Sequence, residues 1–196
     1  DQDVESSPMS LEHNRLYREG SALISPYMQL VGREALSANT SEGREQLEQG
    51  IELLQQTIAI NPANWAAYWI MGKAYQALSS SEQACEAFGK SYALQKQNAD
   101  VAREYMFECL NLGQAEKGIL VAQHAVALKP ADAGLVANLA LALLLGGHLE
   151  EAAGAVSQAL DQAPDDPISH NLHRMIRSVQ LGHAPQPTKM SDLESI

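Results

Sequence analysis

The sequence predicts an all-α fold, an α-solenoid of antiparallel helix pairs with a C-terminal capping helix. Three observations predict it. Pro62, Pro130 and Pro164 fall on one 34-residue grid, whose vacant point is held by Lys96. Asn64, Asn98, Asp132 and Asp166 stand two residues beyond the four grid points, N-cap residue types in register. Between grid points, apolar residues recur at i, i+3 and i+7, the spacing of one helix face rather than the alternation of a strand. A fixed period of this length is the signature of stacked repeats, each too small to bury its own core.

Composition agrees. Apolar residues make up 45% of the 196, enough for a packed interior, while aromatics are only 5%. Small and aliphatic side chains suit close-packed helices better than a β-sandwich.

The grid defines units at 65–98, 99–132 and 133–166. The fourth, seventh and eleventh residues of each lie on one face of its first helix: Tyr68, Met71 and Tyr75; Ala102, Tyr105 and Cys109; Val136, Leu139 and Leu143. Leu139 is expected in the core. Gly113 and Gly147, 34 apart, suit a left-handed helix end, and Ser79 takes that place in the first unit. In the second helices Ala84, Gly118 and Ala152 share one position, Phe88, Ala122 and Val156 the next turn, and Ser91, Ala125 and Ala159 are all small. Met106 stands where its counterparts are Gly72 and Ala140, and Gly118 is expected to make room for it, as dense packing requires.

The ends depart from the pattern. Ile168, Leu172, Met175, Ile176 and Val179 form one stripe of a capping helix over 167–182, with His170, Arg174 and Arg177 turned elsewhere. Before the repeats, residues 10–62 read as irregular helices at 10–24, 26–36 and 42–60. The 42–60 helix fits as the second half of a degenerate first repeat, its first half displaced upstream by an inserted loop around 37–41. Residues 1–9 and 183–196 carry little core signal and read as mobile tails.

The unit from Trp65 runs Tyr68-x2-Met71-Gly72-x2-Tyr75, then Ala84-x3-Phe88. It resembles the tetratricopeptide repeat family, whose pattern is W-x2-L-G-x2-Y, A-x3-F and P. The two later units are degenerate versions. The resemblance implies a right-handed superhelix whose first helices line a concave groove that receives a peptide. It also implies that Trp69, Lys73, Arg103, Phe107, Asn138, Leu141, Leu144 and Leu145 face that groove. Lys73, Arg103 and Asn138 have the chemistry of the carboxylate clamp of some relatives, in positions that match only in part. The helix 133–145 is apolar on more than one face, so its groove side needs a cover. The alternatives are a partner, a second protomer, the chain's own tail, or concealment by curvature and the capping helix.

Chemistry is sparse. The pair His170 and His173 lacks the further ligands that zinc needs, and surface histidines beside arginines explain it better. Glu150-Glu151 and Asp165-Asp166 sit at helix starts, where carboxylates serve the dipole. Gly146-Gly147 follows a helix and lacks the P-loop lysine. No cofactor and no enzymatic role is expected. Cys85 and Cys109 form no CxxC pair and read as buried thiols. With 13 basic against 24 acidic residues, net charge −11, the chain would repel phosphate, so nucleic acid is excluded as a partner. No apolar run is long enough to span a bilayer, no segment reads as a secretory signal, and the expected compartment is the cytoplasm. The function expected is that of a scaffold holding a polypeptide partner, with a homodimer through the same leucines, or a chaperone-type assembly factor, as the alternative.

Overall fold

The computed structural model describes residues 7–196. Among them are nine α-helices and two short 3-10 turns, with no strand beyond an isolated bridge between Leu30 and Arg33. The chain divides into two compact units, up to Gln95 and from Lys96 onward.

The first unit holds α1 (Pro8–Ile24), α2 (Ser41–Ile60), α3 (Trp65–Ala77) and α4 (Ser81–Leu94). α1 and α2 run antiparallel and touch backbone to backbone at Gly20 and Gly50. A Cβ on Gly50 would lie 2.6 Å from Ile24 and 3.1 Å from the Gly20 carbonyl oxygen, so both glycines are needed for that approach. α1 packs on α2, and the segment 28–40 is inserted between them.

No helix forms over 26–36. A 3-10 turn (Ser25–Tyr27) ends the helical run. Gly32, at φ 75°, then reverses the chain in the Leu30–Arg33 turn, and Leu36 N–H returns to the Pro26 carbonyl at 2.9 Å. The physical reason is burial. Tyr27, Met28 and Ala38 pack into one core with Ile70, Met71 and Ala74 of α3, and a regular helix would carry them off that surface. The expected N-terminal tail falls partly outside the described residues. Ser7 already caps α1, its Oγ accepting from Ser10 N–H, and Pro8 and Met9 are helical.

The second unit holds α5 (Ala99–Asn111), α6 (Ala115–Leu128), α7 (Ala133–Leu145), α8 (Leu149–Gln162) and α9 (Pro167–Gln180). All four grid caps act through their side chains: Asn64 accepts from Ala67 N–H, Asn98 from Asp100 and Val101, Asp132 from Leu135, and Asp166 from Ser169. The opposite ends repeat equally well. Ser79, Gly113, Gly147 and Gly182 have φ of 58°, 73°, 78° and 72°. The N–H of the next residue reaches five residues back in every case, as in Ser80 to Tyr75, Gln114 to Cys109, His148 to Leu143 and His183 to Ser178. That is the Schellman closure.

Packing corrects two expectations. Gly118 faces Leu110, whose Cδ2 would be 2.7 Å from an added Cβ, rather than Met106. Gly72 faces the Phe88 ring one turn further along α4. Leu139 is half-buried, while Val136, Ala140 and Leu143 beside it on α7 are buried. Cys85 and Cys109 are both buried thiols.

The C-terminal segment is also ordered. Beyond Gly182 the chain is irregular, then closes in a 3-10 turn (Met190–Ser195). Asp192 organises that turn by accepting from the N–H groups of Thr188 and Lys189. Residues 183–196 thus carry a local turn and a contact to α7 through Gln186 that their polarity does not announce.

Candidate interaction surfaces

The eight residues assigned to the groove separate by burial. In the first unit Trp69 and Lys73 lie one turn apart on α3. Lys73 is only 4% exposed. Its Nζ donates to the Gln29 carbonyl of the insertion at 2.9 Å and stands 5.5 Å from the centre of the Trp69 ring. A buried ammonium needs such a carbonyl and such a ring face in place of water. Trp69 and Leu30 are both half-buried against the same core. The insertion thus withdraws Lys73 from the accessible surface. Trp69 Nε1 is buried and has no hydrogen-bond partner.

In the second unit, Leu144 and Leu145 are likewise withdrawn, at 0% and 3% exposure. Arg103 and Phe107 on α5, and Asn138 and Leu141 on α7, remain partly exposed. Arg103 Nη2 lies 3.7 Å from Asp100 and 3.9 Å from Glu104. Glu104 and Glu108 are buried carboxyls of the same helix, and Glu108 accepts from Asn111 Nδ2 at 3.2 Å. The i, i+4 pair Arg103/Phe107 and the i, i+3 pair Asn138/Leu141 each keep to one helix face.

A second surface, missed in the sequence, crosses the turns after α5 and α7. Gln186 Nε2 donates to the Leu144 carbonyl at 2.6 Å, and its amide lies over Gly147. Thr188 and Lys189 lie over Gly113. Pro187 is the one buried residue of 183–196. Only the pairing of two positive-φ glycines on one period could have signalled it. Beside Thr188, residues 113–117 with Leu145 and Gly146 line an open depression of about 460 Å³.

Elsewhere, His148 joins the two turn regions. Its Nε2 meets Glu116 Oε1 at 2.8 Å, and that carboxylate raises the imidazole pKa above its ordinary value. His170, His173, Arg174, Arg177 and His183 line a separate open hollow on α9. Among the described residues no group of three or more His, Cys, Asp or Glu is placed to hold a metal ion, and no helix is long and apolar enough to cross a membrane.

No family model matches the sequence, and no curated protein matches it. Solved structures do match the fold. MamA 41-end from Desulfovibrio magneticus RS-1 is 20% identical, covers 87% of each chain and superposes with a TM-score of 0.68. YrrB, described as a TPR protein with an unusual peptide-binding site, is 19% identical over 74% of each chain, with a TM-score of 0.63. The first TPR of Spaghetti (RPAP3), bound to the HSP90 peptide SRMEEVD, is 17% identical over 60% of this chain and 93% of its own, at 0.55. The fold is therefore of the tetratricopeptide type, all-α and built of packed helix pairs.

Proposed function

We propose that the chain is a protein-interaction module that binds a polypeptide segment on the first-helix faces of its second unit, through Arg103, Phe107, Asn138 and Leu141. The observation that carries the reading is their partial exposure on helices whose neighbouring large apolar residues are buried. An aromatic ring and a leucine flanked by Arg and Asn combine apolar anchorage with hydrogen-bonding heads, the make-up of interface hot spots. Structures of the same fold include one with a bound peptide, which supports the class of ligand and leaves its sequence open. Asp100, Glu104 and Glu108 on the same helix favour a neutral or basic segment over an acidic one.

Phe107→Glu and Leu141→Glu test it, since both side chains are partly exposed and tolerate charge without unfolding the helix. Affinity capture with the wild-type chain should recover one or more partners that both variants lose, while helicity and melting temperature stay unchanged. Recovery of the same partners by both variants would refute the assignment. Light scattering of the wild type across dilution distinguishes a partner protein from a second copy of the chain.

A further inference from the structure

We infer a peptide-docking lane across the Gly113 and Gly147 turns, built for an extended Pro-Gln-Pro-Thr type segment of a partner and filled in this chain by its own residues 185–189. Its contacts use none of Arg103, Phe107, Asn138 and Leu141, and it does not depend on the proposed function.

The lane has a repeated floor. Gly113 and Gly147 are the same position of consecutive repeats, both left-handed and both without a side chain. Each leaves the first-helix end open to a close-lying chain. An added Cβ at Gly113 would sit 3.8 Å from the Thr188 carbonyl oxygen and 3.8 Å from Lys189 Cβ. At Gly147 it would sit 3.8 Å from Gln186 Cδ. The segment thus passes over both turns at van der Waals distance. Its hydrogen bond to the lane uses a group that helix ends leave available, a terminal carbonyl. Leu144 O takes Gly147 N–H at 3.1 Å and Gln186 Nε2 at 2.6 Å, filling both lone pairs.

The recognised features follow from these contacts. A glutamine amide reaches the carbonyl, and a proline directly after it is buried. The flanking prolines, Pro185 and Pro187, hold the segment extended before it docks, which lowers the entropy lost on docking. The specificity is therefore for a Gln-Pro step in an extended, proline-flanked stretch.

The occupant is exchangeable. Of residues 183–196 only Pro187 is buried, and the closing 3-10 turn contains no buried residue. The Asp192 bonds that shape the turn lie within the segment itself, so none of them ties it to the helices. Thr188 leaves the adjoining depression of about 460 Å³ open, so a partner with a larger residue there gains contact that the tail does not make. Gly182, at φ 72°, ends α9 and starts the segment.

The test uses the full chain and a fluorescent synthetic peptide of residues 183–196. Gln186→Ala/Pro187→Ala alters the tail alone and leaves every helix intact. In the wild type the tail competes for the lane. An occupant present nine-tenths of the time weakens binding in trans about tenfold. The variant should therefore bind the wild-type peptide about tenfold more tightly than the wild-type chain does. A peptide carrying the same two alanines should bind neither protein. Hydrogen exchange should show the amides of 188–192 protected in the wild type and faster in the variant, with α7 unchanged. Equal peptide affinity for the two proteins, or tail amides that exchange at the unprotected rate in the wild type, would overturn the inference. So would concentration-dependent dimers that the double variant abolishes, because the occupant would then be a second copy. Loss of capture by Phe107→Glu bears only on the other surface.

Discussion

Gly72→Ala and Gly154→Ala introduce the same methyl group into helix interiors and should move stability in opposite directions. At Gly154 in α8 nothing lies within 4 Å of the new Cβ. The substitution there returns the helix-propensity difference, a gain of about 0.8–1.0 kcal/mol. At Gly72 the new Cβ would lie 2.5, 2.6 and 2.7 Å from three carbons of the Phe88 ring. Ordinary contact begins near 3.4 Å, so the ring must retreat by roughly 1 Å, a distance dense packing resists. Phe88 is 0% exposed, leaving it no free direction. Overpacking of this kind costs about 1–3 kcal/mol. The propensity gain is common to both sites, so the two alanines should differ by that same 1–3 kcal/mol. Urea denaturation followed by circular dichroism reads the difference. A third variant isolates the contact: in a Phe88→Leu background the Gly72→Ala penalty should shrink, with a coupling of about 0.5–3 kcal/mol. Equal shifts at the two glycines, or additive effects of Gly72→Ala and Phe88→Leu, would refute the packing argument.

Two further outcomes follow from local geometry. Ser79 holds at φ 58° the turn that glycine holds in the later repeats. Relief of about 1–2 kcal/mol of left-handed strain, less about 0.4–1 kcal/mol of unfolded-state entropy, predicts that Ser79→Gly raises the urea midpoint. A lowered midpoint would contradict it. The His148 pKa is raised by the hydrogen bond to Glu116 and the nearby charges of Glu116 and Glu151. The folded value thus exceeds the unfolded one near 6.5. The associated stability is fully present below the unfolded pKa and is lost as pH rises through the folded one. NMR titration should place His148 above the ordinary histidine range and Glu116→Gln should bring it down. An unchanged midpoint in that variant would detach the shift from the hydrogen bond.

The helix boundaries of the repeats were legible because their signals are local. An N-cap side chain acts on an N–H two or three residues away, and a left-handed glycine closes its own helix. Four caps in one register therefore located α3, α5, α7 and α9 from sequence. Features that depend on distant partners were not legible. The Gly20–Gly50 crossing joins positions 30 apart in chain with no period between them. Residues 183–196 read as a tail because they lack an apolar stripe, yet Gln186 finds a carbonyl 42 residues earlier. The trade of large for small side chains was visible, but assigned to the wrong turn. Gly72 meets Phe88, and the same two repeat positions hold Met106 and Ala122, then Ala140 and Val156, all of them buried. An i+4 ambiguity on a helix face leaves sequence periodicity intact and changes the partner.

Burial also decides what the candidate surface selects. Lys73, Arg103 and Asn138 carry the right chemistry for gripping a C-terminal carboxylate, and sequence alone could not say whether their charges are available. Lys73 is committed to the Gln29 carbonyl and the Trp69 ring. Freeing it would leave that carbonyl without its donor and move the ammonium off the ring face. Arg103 lies between Asp100 and Glu104, on a helix that also carries Glu108. A carboxylate brought to α5 would meet one cation already beside two acids, with little attraction left to offer it. What α5 and α7 offer instead are two partly exposed apolar side chains, Phe107 and Leu141, with Asn138 and an acidic helix beside them. On the proposed function, that arrangement would favour a segment with an apolar anchor and a basic flank, and would tie discrimination to the acids of α5 rather than to a positive clamp.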